Sequence, residues 1–234
     1  MTASRGATTP RREVDAMTAT SRAATPPDDA FFERHTRDFS LRDGSRIRVR
    51  PVRPDDKRAL AEGLARLSPA SRYRRFLSPV GDLPERTLRY LTEIDYDRHF
   101  AWAAFSLDEP GTPGIAVARY VCDPDDPTIA EPAVAVIDDY QGRGLGILLL
   151  HILTSTAADH GVRTFRASIL ADNEPMRAMF RDMGARLRAD GPGVLRAEVD
   201  LPGRERARAQ LIYDGLRYAC EGAIARARRV LLGG

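Results

Sequence analysis

The residues best suited to do chemistry lie near the middle of the chain. They are the run Gln141-Gly142-Arg143-Gly144-Leu145-Gly146 and, upstream of it, Glu131 at the start of an apolar stretch. A glycine-rich turn that opens directly into a helix gathers unpaired N–H groups and the positive end of the helix dipole in one place. Such a place suits an anion, most naturally phosphate. The helix is implied by Leu145, Leu148, Leu149, Ile152, Leu153 and Thr156, which recur at helical spacing, and Gly161 reads as its stop. Two phosphate motifs are excluded by spacing. A P-loop needs Lys followed by Ser or Thr, where this chain has Leu145-Gly146-Ile147. The dinucleotide fingerprint needs two residues between its second and third glycines, whereas Gly144 and Gly146 are separated by one, and Asp159 stands too near to be its ribose acid. An ordinary tight strand-to-helix connection is the plain alternative.

The turn needs a strand before it, and Ala130 to Ile137 supplies one. Val134 and Val136 point to one face; Glu131, Ala133, Ala135 and Ile137 point to the other, which is mostly small. The pattern that remains, Gln-x-x-Gly-x-Gly after a strand, resembles the acyl-coenzyme A pyrophosphate loop of the GNAT acetyltransferase superfamily. The approach Val136-Ile137-Asp138-Asp139-Tyr140-Gln141, and Asn173 with Gly184-Ala185 further on, are similar to the same superfamily. The resemblance covers about residues 45 to 200. Within the superfamily, Ser71-Arg72-Tyr73-Arg74-Arg75-Phe76 and Ala130-Glu131-Pro132-Ala133-Val134-Ala135-Val136 resemble segments of bacterial protein lysine acetyltransferases. As a plain structural element, the first of these is a solvated arginine face with Tyr73 and Phe76 turned inward.

The resemblance implies acetyl-CoA as cosubstrate, bound by Val136, Ile137, Gln141, Gly142, Arg143, Gly144, Leu145 and Gly146, with Asn173 touching the pantetheine arm. It implies no metal. Amides of that arm can pair with exposed strand backbone as an added strand would. Asn173 also reads as a helix cap, and the two roles are compatible. A lysine-like acceptor has a pKa of about 10.4 and must lose a proton before it attacks a thioester, so a carboxylate or an ordered water belongs nearby. Glu131 is the candidate, because the small residues beside it leave room; in the family it resembles, the matching glutamate is the general base. As a plain feature it is an exposed glutamate at a strand start. Pro132 removes a ladder donor, which predicts irregular pairing there. Many relatives carry a Tyr seven residues after the Asn as general acid for the departing thiolate; this chain has Phe180.

Composition narrows the remaining choices. The 234 residues are 43% hydrophobic, enough for one good-sized core. No apolar run approaches the roughly 20 residues of a bilayer span, so the chain is expected to be cytoplasmic, with no membrane span. Cys122 and Cys220 give neither a disulfide framework nor metal spacing, and His35, His99, His151 and His160 form no ligand pattern with them. The net charge of +3 does not call for a nucleic-acid surface. Lys57 is the only lysine, which limits self-acetylation of the folded body to one site.

Residues 1–37, rich in Thr, Ala, Ser, Arg and Pro, read as a disordered tail. Residues 38–202 read as the acetyltransferase domain. It opens with a hairpin turning at Asp43-Gly44, followed by a helix carrying Leu60, Leu64 and Leu67 and another over Pro84 to Ile94. Strands over Phe100 to Leu107 and Ile115 to Cys122 lead into the Glu131 strand as an antiparallel meander. Beyond the central helix come a strand over Arg163 to Leu170, a helix over Glu174 to Met183 and a strand over Val194 to Leu201. Residues 203–234 read as a C-terminal arginine-rich amphipathic helix with a broken stripe of Leu211, Ile212, Leu216, Ala219, Ala223 and Val230; docking on the domain is expected, with pairing to another subunit or binding to an acidic surface as alternatives. The predicted fold is α/β (α+β): a mixed, mainly antiparallel sheet flanked by helices, with that extra C-terminal helix.

The expected activity is N-acetyl transfer from acetyl-CoA to an amine, a protein lysine or, as an alternative, a small amine. From a different class, a non-catalytic acyl-CoA sensor would use the same loop. Nucleic-acid binding by the last helix would rest on charge alone.

Overall fold

The computed structural model describes residues 26–76, 81, 83–213, 217, 221 and 222. The first strand pair, β1 (Arg37–Ser40) and β2 (Arg46–Pro51), is joined where the sequence placed a turn. Gly44 there has a φ of 84°, a conformation that favours glycine, and Asp43 accepts from the Ser45 backbone N–H at 3.0 Å. Helices α2 (Lys57–Ala65), α3 (Pro69–Phe76) and α4 (Glu85–Thr92) follow. Strands β3 (His99–Ser106), β4 (Gly114–Cys122) and β5 (Ile129–Val136) complete a continuous antiparallel meander with β1 and β2.

Helix α5 (Leu145–Asp159) crosses from β5 to β6 (Thr164–Leu170), which runs parallel to β5. Helix α6 (Glu174–Asp182) leads to β7 (Arg186–Ala189) and β8 (Val194–Asp200). The sheet order is β1-β2-β3-β4-β5-β6-β8-β7. Helix α5 anchors the core: Leu145, Leu148, Leu149, Leu150, Ile152 and Leu153 are all buried. A helix apolar on most of its circumference has to lie inside the molecule.

The folded part begins before residue 38. Helix α1 (Asp29–His35) is capped by Asp28, whose carboxylate accepts from the Phe31 N–H at 2.8 Å. Phe32 is buried, edge-on to Tyr96 at 5.7 Å, with the Arg53 guanidinium 4.3 Å from its ring centroid. Aromatic area recruited by a distant ring orders this segment, whereas local composition pointed to a tail. Residues 1–25 of that expected tail lie outside the described residues.

Residues 204–213 are helical. They dock on the end of α5 through buried Ala207, and Arg208 lies 3.0 Å from Asp159. Ile212 and Tyr213 are exposed. Leu216, Ala219, Ala223 and Val230 of the expected stripe, and Cys220, fall outside the described residues.

Candidate functional site

Strands β5 and β6 pair only at Ile129 opposite Thr164 and Ala130 opposite Phe165. Beyond Ala130 they part, and everything distinctive about the site follows from that. The Asp123 N–H bonds the Ile129 carbonyl at 2.8 Å, and the Ile137 N–H bonds the Ile115 carbonyl at 3.0 Å. Hydrogen-bonded pairs alternate along an antiparallel ladder. The backbone groups of Ile129, Glu131, Ala133, Ala135 and Ile137 therefore face β4. Those of Pro132, Val134 and Val136 face the gap left by β6. The irregular pairing expected at Pro132 is absent from the β4 side, where the register runs unbroken through Pro132 opposite Tyr120. The proline ring nitrogen sits on the gap side, so it removes no bond to β4.

The gap opens into a cleft of about 390 Å3. Val134, Ala135 and Val136 line one side of it, Gln141, Gly142, Gly144 and Gly146 its head, and Asn173, Met176 and Met179 the α6 side. Gly144 caps α5 with a φ of 87° and no side-chain cap, and Gly142 has a φ of 72°. Gly144 has no side chain to cap the first-turn N–H groups of α5, and Gly146 and Ile147 of that turn line the cleft. A Cβ at Gly146 would come within 3.3 Å of Met179 Cε and 3.7 Å of Val136 Cγ2, so a side chain here would fill the cleft.

The head of the cleft is tied down by a hydrogen-bond network. The Asp138 carboxylate accepts from the Ser68 N–H at 2.8 Å, the Ser68 hydroxyl at 2.8 Å and the Ser71 hydroxyl at 3.0 Å. Burial works against that charge, but the Ser68 and Ser71 hydrogen bonds outweigh it and hold the carboxyl below its usual range. Gln141 Nε2 donates to the Val136 carbonyl at 3.0 Å and to Ser71 Oγ at 3.2 Å. Arg143 turns away from the cleft: its Nη1 donates to Asp43 Oδ2 at 2.9 Å and Ser45 Oγ at 3.1 Å, and it lies 4.5 Å over the Tyr140 ring. Burial opposes the Asp43 charge too, but the Ser45 hydrogen bonds and Arg143 hold that carboxyl low.

Ile137 and Leu145 are buried in the core and do not line the cleft. Of the residues expected around the coenzyme, Val136, Gln141, Gly142, Gly144, Gly146 and Asn173 come together on its wall, while Ile137, Arg143 and Leu145 support it from behind. Sequence reasoning missed the arginines. Arg42 from the β1–β2 hairpin and Arg74 and Arg75 from α3 line the same cleft. The run around Arg74 was visible, but nothing local marked Arg42.

At the far end, Glu131 lines a smaller chamber of about 50 Å3 with Arg74, Arg75, Phe76, Asn173, Met176 and Phe180. Asn173 is buried, accepts from the Met176 N–H at 3.4 Å as the cap of α6, and borders both cavities. Phe180, 2% exposed, lines the same chamber and offers no ionisable group there. Beside Glu131 on the same sheet face, in register through Val121, is His99. His99 is buried with Nε2 3.1 Å from Arg119 Nη1. Burial, and then the Arg119 charge, push its pKa well below the ordinary value and keep it neutral. Burial likewise pushes the Cys122 thiol up to about 11, which leaves it unreactive. Among the described residues, no group of three or more His, Cys, Asp or Glu is placed to hold a metal ion, and no helix is long and apolar enough to cross a membrane.

Comparison with known proteins gives a consistent picture. Residues 46–186 match the family model described as acetyltransferase (GNAT) domain. The chain is 39% identical over 162 residues to the acetyltransferase Pat of Mycolicibacterium smegmatis, covering 69% of this chain and 48% of that protein. An acetyltransferase of Pseudomonas aeruginosa is 32% identical over 145 residues, 62% of this chain and 77% of its own length. The crystal structure of the GNAT domain of Streptomyces lividans PAT superimposes with a TM-score of 0.66 at 31% identity, covering 75% of this chain and 100% of that one. The chain thus spans about half the length of the Mycolicibacterium relative.

Proposed function

The chain belongs to the GNAT acetyltransferase family, and from that premise we propose that it carries an acetyl group from acetyl-CoA to a protein lysine by direct attack in a ternary complex. One observation carries the proposal. The gap-facing backbone of Val134 and Val136 leads in a straight line from the N-terminal end of α5 to Glu131. A diphosphate fits the head of the cleft, where helix N–H groups, Arg74 and Arg75 supply positive potential, while Arg42 at its border is paired with Glu221 at 3.1 Å. The pantetheine amides pair with Val134 and Val136 in place of the missing β6. From Val136 to Glu131 a strand spans roughly 16 Å at about 3.3 Å per residue, a distance suited to the arm between the phosphates and the thioester.

Glu131 then takes the proton from the acceptor ammonium. The amine nitrogen bonds to the thioester carbon, the carbon–sulfur bond breaks, and the departing thiolate takes a proton. A thiol pKa near 8.5 makes that thiolate a tolerable leaving group, and water serves as acid where Phe180 offers none. A protein acceptor is supported by the α3 run Ser71–Phe76 and the β5 strand, both of which resemble protein lysine acetyltransferases.

The test is calorimetry with acetyl-CoA, followed by thiol release with a panel of lysine peptides and small amines. Binding and turnover on peptides are expected. Turnover on small amines alone would replace the acceptor, tight binding without turnover would make the domain a sensor, and failure to bind acetyl-CoA would overturn the proposal.

A further inference from the structure

Among the described residues, Arg119 at 2% exposure and His99 at 5% are the only buried side chains drawn from Arg, Lys, His, Asp and Glu. Neither takes part in the transfer steps above. Taking a guanidinium out of water is costly, and the cost is recovered only by good hydrogen bonds and an opposite charge nearby. His99 supplies the first, since its Nε2 lies 3.1 Å from Arg119 Nη1 and accepts from it. Burial, and then the Arg119 charge itself, keep that imidazole neutral. A neutral ring does not offset a positive charge.

The sheet register points to the charge that does. His99, Val121 and Glu131 form one row across β3, β4 and β5; Ala101, Arg119 and Ala133 form the neighbouring row. Residues paired across a sheet share a face, so His99, Arg119 and Glu131 project from the same side. Arg119 and Glu131 are diagonal neighbours on adjacent strands, roughly 7–8 Å apart at the backbone, within reach of long side chains. Because its Nη1 reaches His99, the guanidinium is turned out of its own row toward the one that ends in Glu131.

Other charged groups face the same chamber. Arg74 and Arg75 border it from α3, and Arg166 follows the last β5–β6 pair. Arg74 is exposed and Arg166 is paired with Glu198 at 2.9 Å, so water screens the first and a counter-charge the second. Arg75, half-buried, also borders the coenzyme cleft. Behind His99 stands Tyr90, with ring centroids 5.0 Å apart. Arg119 differs from the other cations in being sealed from water, where a charge acts through a lower effective dielectric.

We propose that Arg119 is a positioning residue for Glu131: supported by His99, its guanidinium holds the carboxylate charged and turned toward the gap where the amine arrives. The proposal rests on the reading of Glu131 as general base. The proton still passes from the acceptor ammonium to Glu131, and Arg119 takes part in no bond that forms or breaks. With an effective dielectric of about 20, a unit charge roughly 7 Å away moves the titration of a carboxyl group by on the order of one to two pH units.

The experiment is the pH dependence of thiol release by the full chain on one lysine peptide at saturating acetyl-CoA, with calorimetry of acetyl-CoA alongside. In Arg119→Met the acid limb of the profile should move up by about one to two pH units, with the rate recovered above it. Affinity for acetyl-CoA should stay within about twofold, because Arg119 does not line the coenzyme cleft. Arg119→Lys keeps the charge and should leave the limb within about half a pH unit of its place. Arg119→Gln removes the charge but keeps a donor for His99, and it replaces the methionine variant should that one fail to fold. A limb unmoved by the neutral variants, or moved as far by Arg119→Lys, overturns the proposal and leaves Arg119 a structural role. A limb that moves with Arg75→Met in place of Arg119→Met overturns it in favour of the α3 cation. The same displacement on a Glu131→Gln background assigns the limb to the amine and overturns it as well. Full transfer by Glu131→Gln alone removes the general base, and the positioning role falls with it.

Discussion

The two ends of the cleft are built on opposite principles. At the head, Asp138, Ser68, Ser71, Gln141, Asp43 and Arg143 form hydrogen bonds that join segments far apart in the chain. At the Glu131 end, Phe76, Ala133, Leu150 and Phe180 share the walls with Arg74, Arg75, Ser168 and Asn173. Holding a diphosphate requires donors that do not move, because each donor that must be reoriented weakens binding. Transferring an acyl group requires a carboxylate within reach of the incoming amine. On the proposed reaction, a cross-linked head and a small chamber around a single carboxylate would give affinity to one region and rate to the other.

The sharpest way to break that division is Glu131→Gln. The transfer rate should fall on the order of 100- to 10,000-fold, with the calorimetric affinity for acetyl-CoA nearly unchanged; loss of affinity with retained rate would reverse the assignment. Gly146→Val is the complementary change at the head. Its side chain would enter space bounded by Met179 at 3.3 Å, so coenzyme affinity should drop by about 10- to 100-fold, a cost of about 1.4 kcal/mol for each factor of ten. The rate at saturating coenzyme should change far less.

The smallest effect concerns acid. His99, on the sheet face of Glu131, has a folded pKa well below its unfolded value near 6.5. Its neutral form stabilises the fold fully above pH 6.5, and that stabilisation is lost as the pH falls below it, by at most about 1.4 kcal/mol per pH unit. At the head, Asp138 and Asp43 have lowered pKa values and stay ionised until the pH drops below the ordinary carboxylate range. Thermal unfolding from pH 7 to 5 should show a declining Tm, and His99→Gln should flatten that decline. An unchanged slope in the variant would show that another group governs the acid response.

What was legible in the sequence is what is local. The turn into α5 follows from its glycines and from the apolar spacing after them, and the strands around it follow from alternation. The sequence was silent where partners are remote. Arg143 reads as a phosphate ligand in its hexapeptide, yet its carboxylate partner is Asp43, and only the folded hairpin brings the two together. Arg42 reaches the cleft from that same hairpin. Strand β7 escaped notice because Arg186-Leu187-Arg188-Ala189 alternates over only four residues, too few for the pattern to stand out, and three of them are exposed. The parting of β5 from β6 is a fact about pairing, and no single strand records it. Pro132 was a local signal of that parting, since the donor it lacks falls on the gap side of the ladder.

Lys57, the sole lysine, is held at Nζ by Glu93 at 2.8 Å and by the Pro54 carbonyl at 2.9 Å. Those two contacts engage its N–H groups and hold the amine against the body of the protein. A protein that concentrates activated thioesters on its own surface exposes itself to being labelled by them. Here nearly every side-chain cation is a guanidinium, which such electrophiles leave alone.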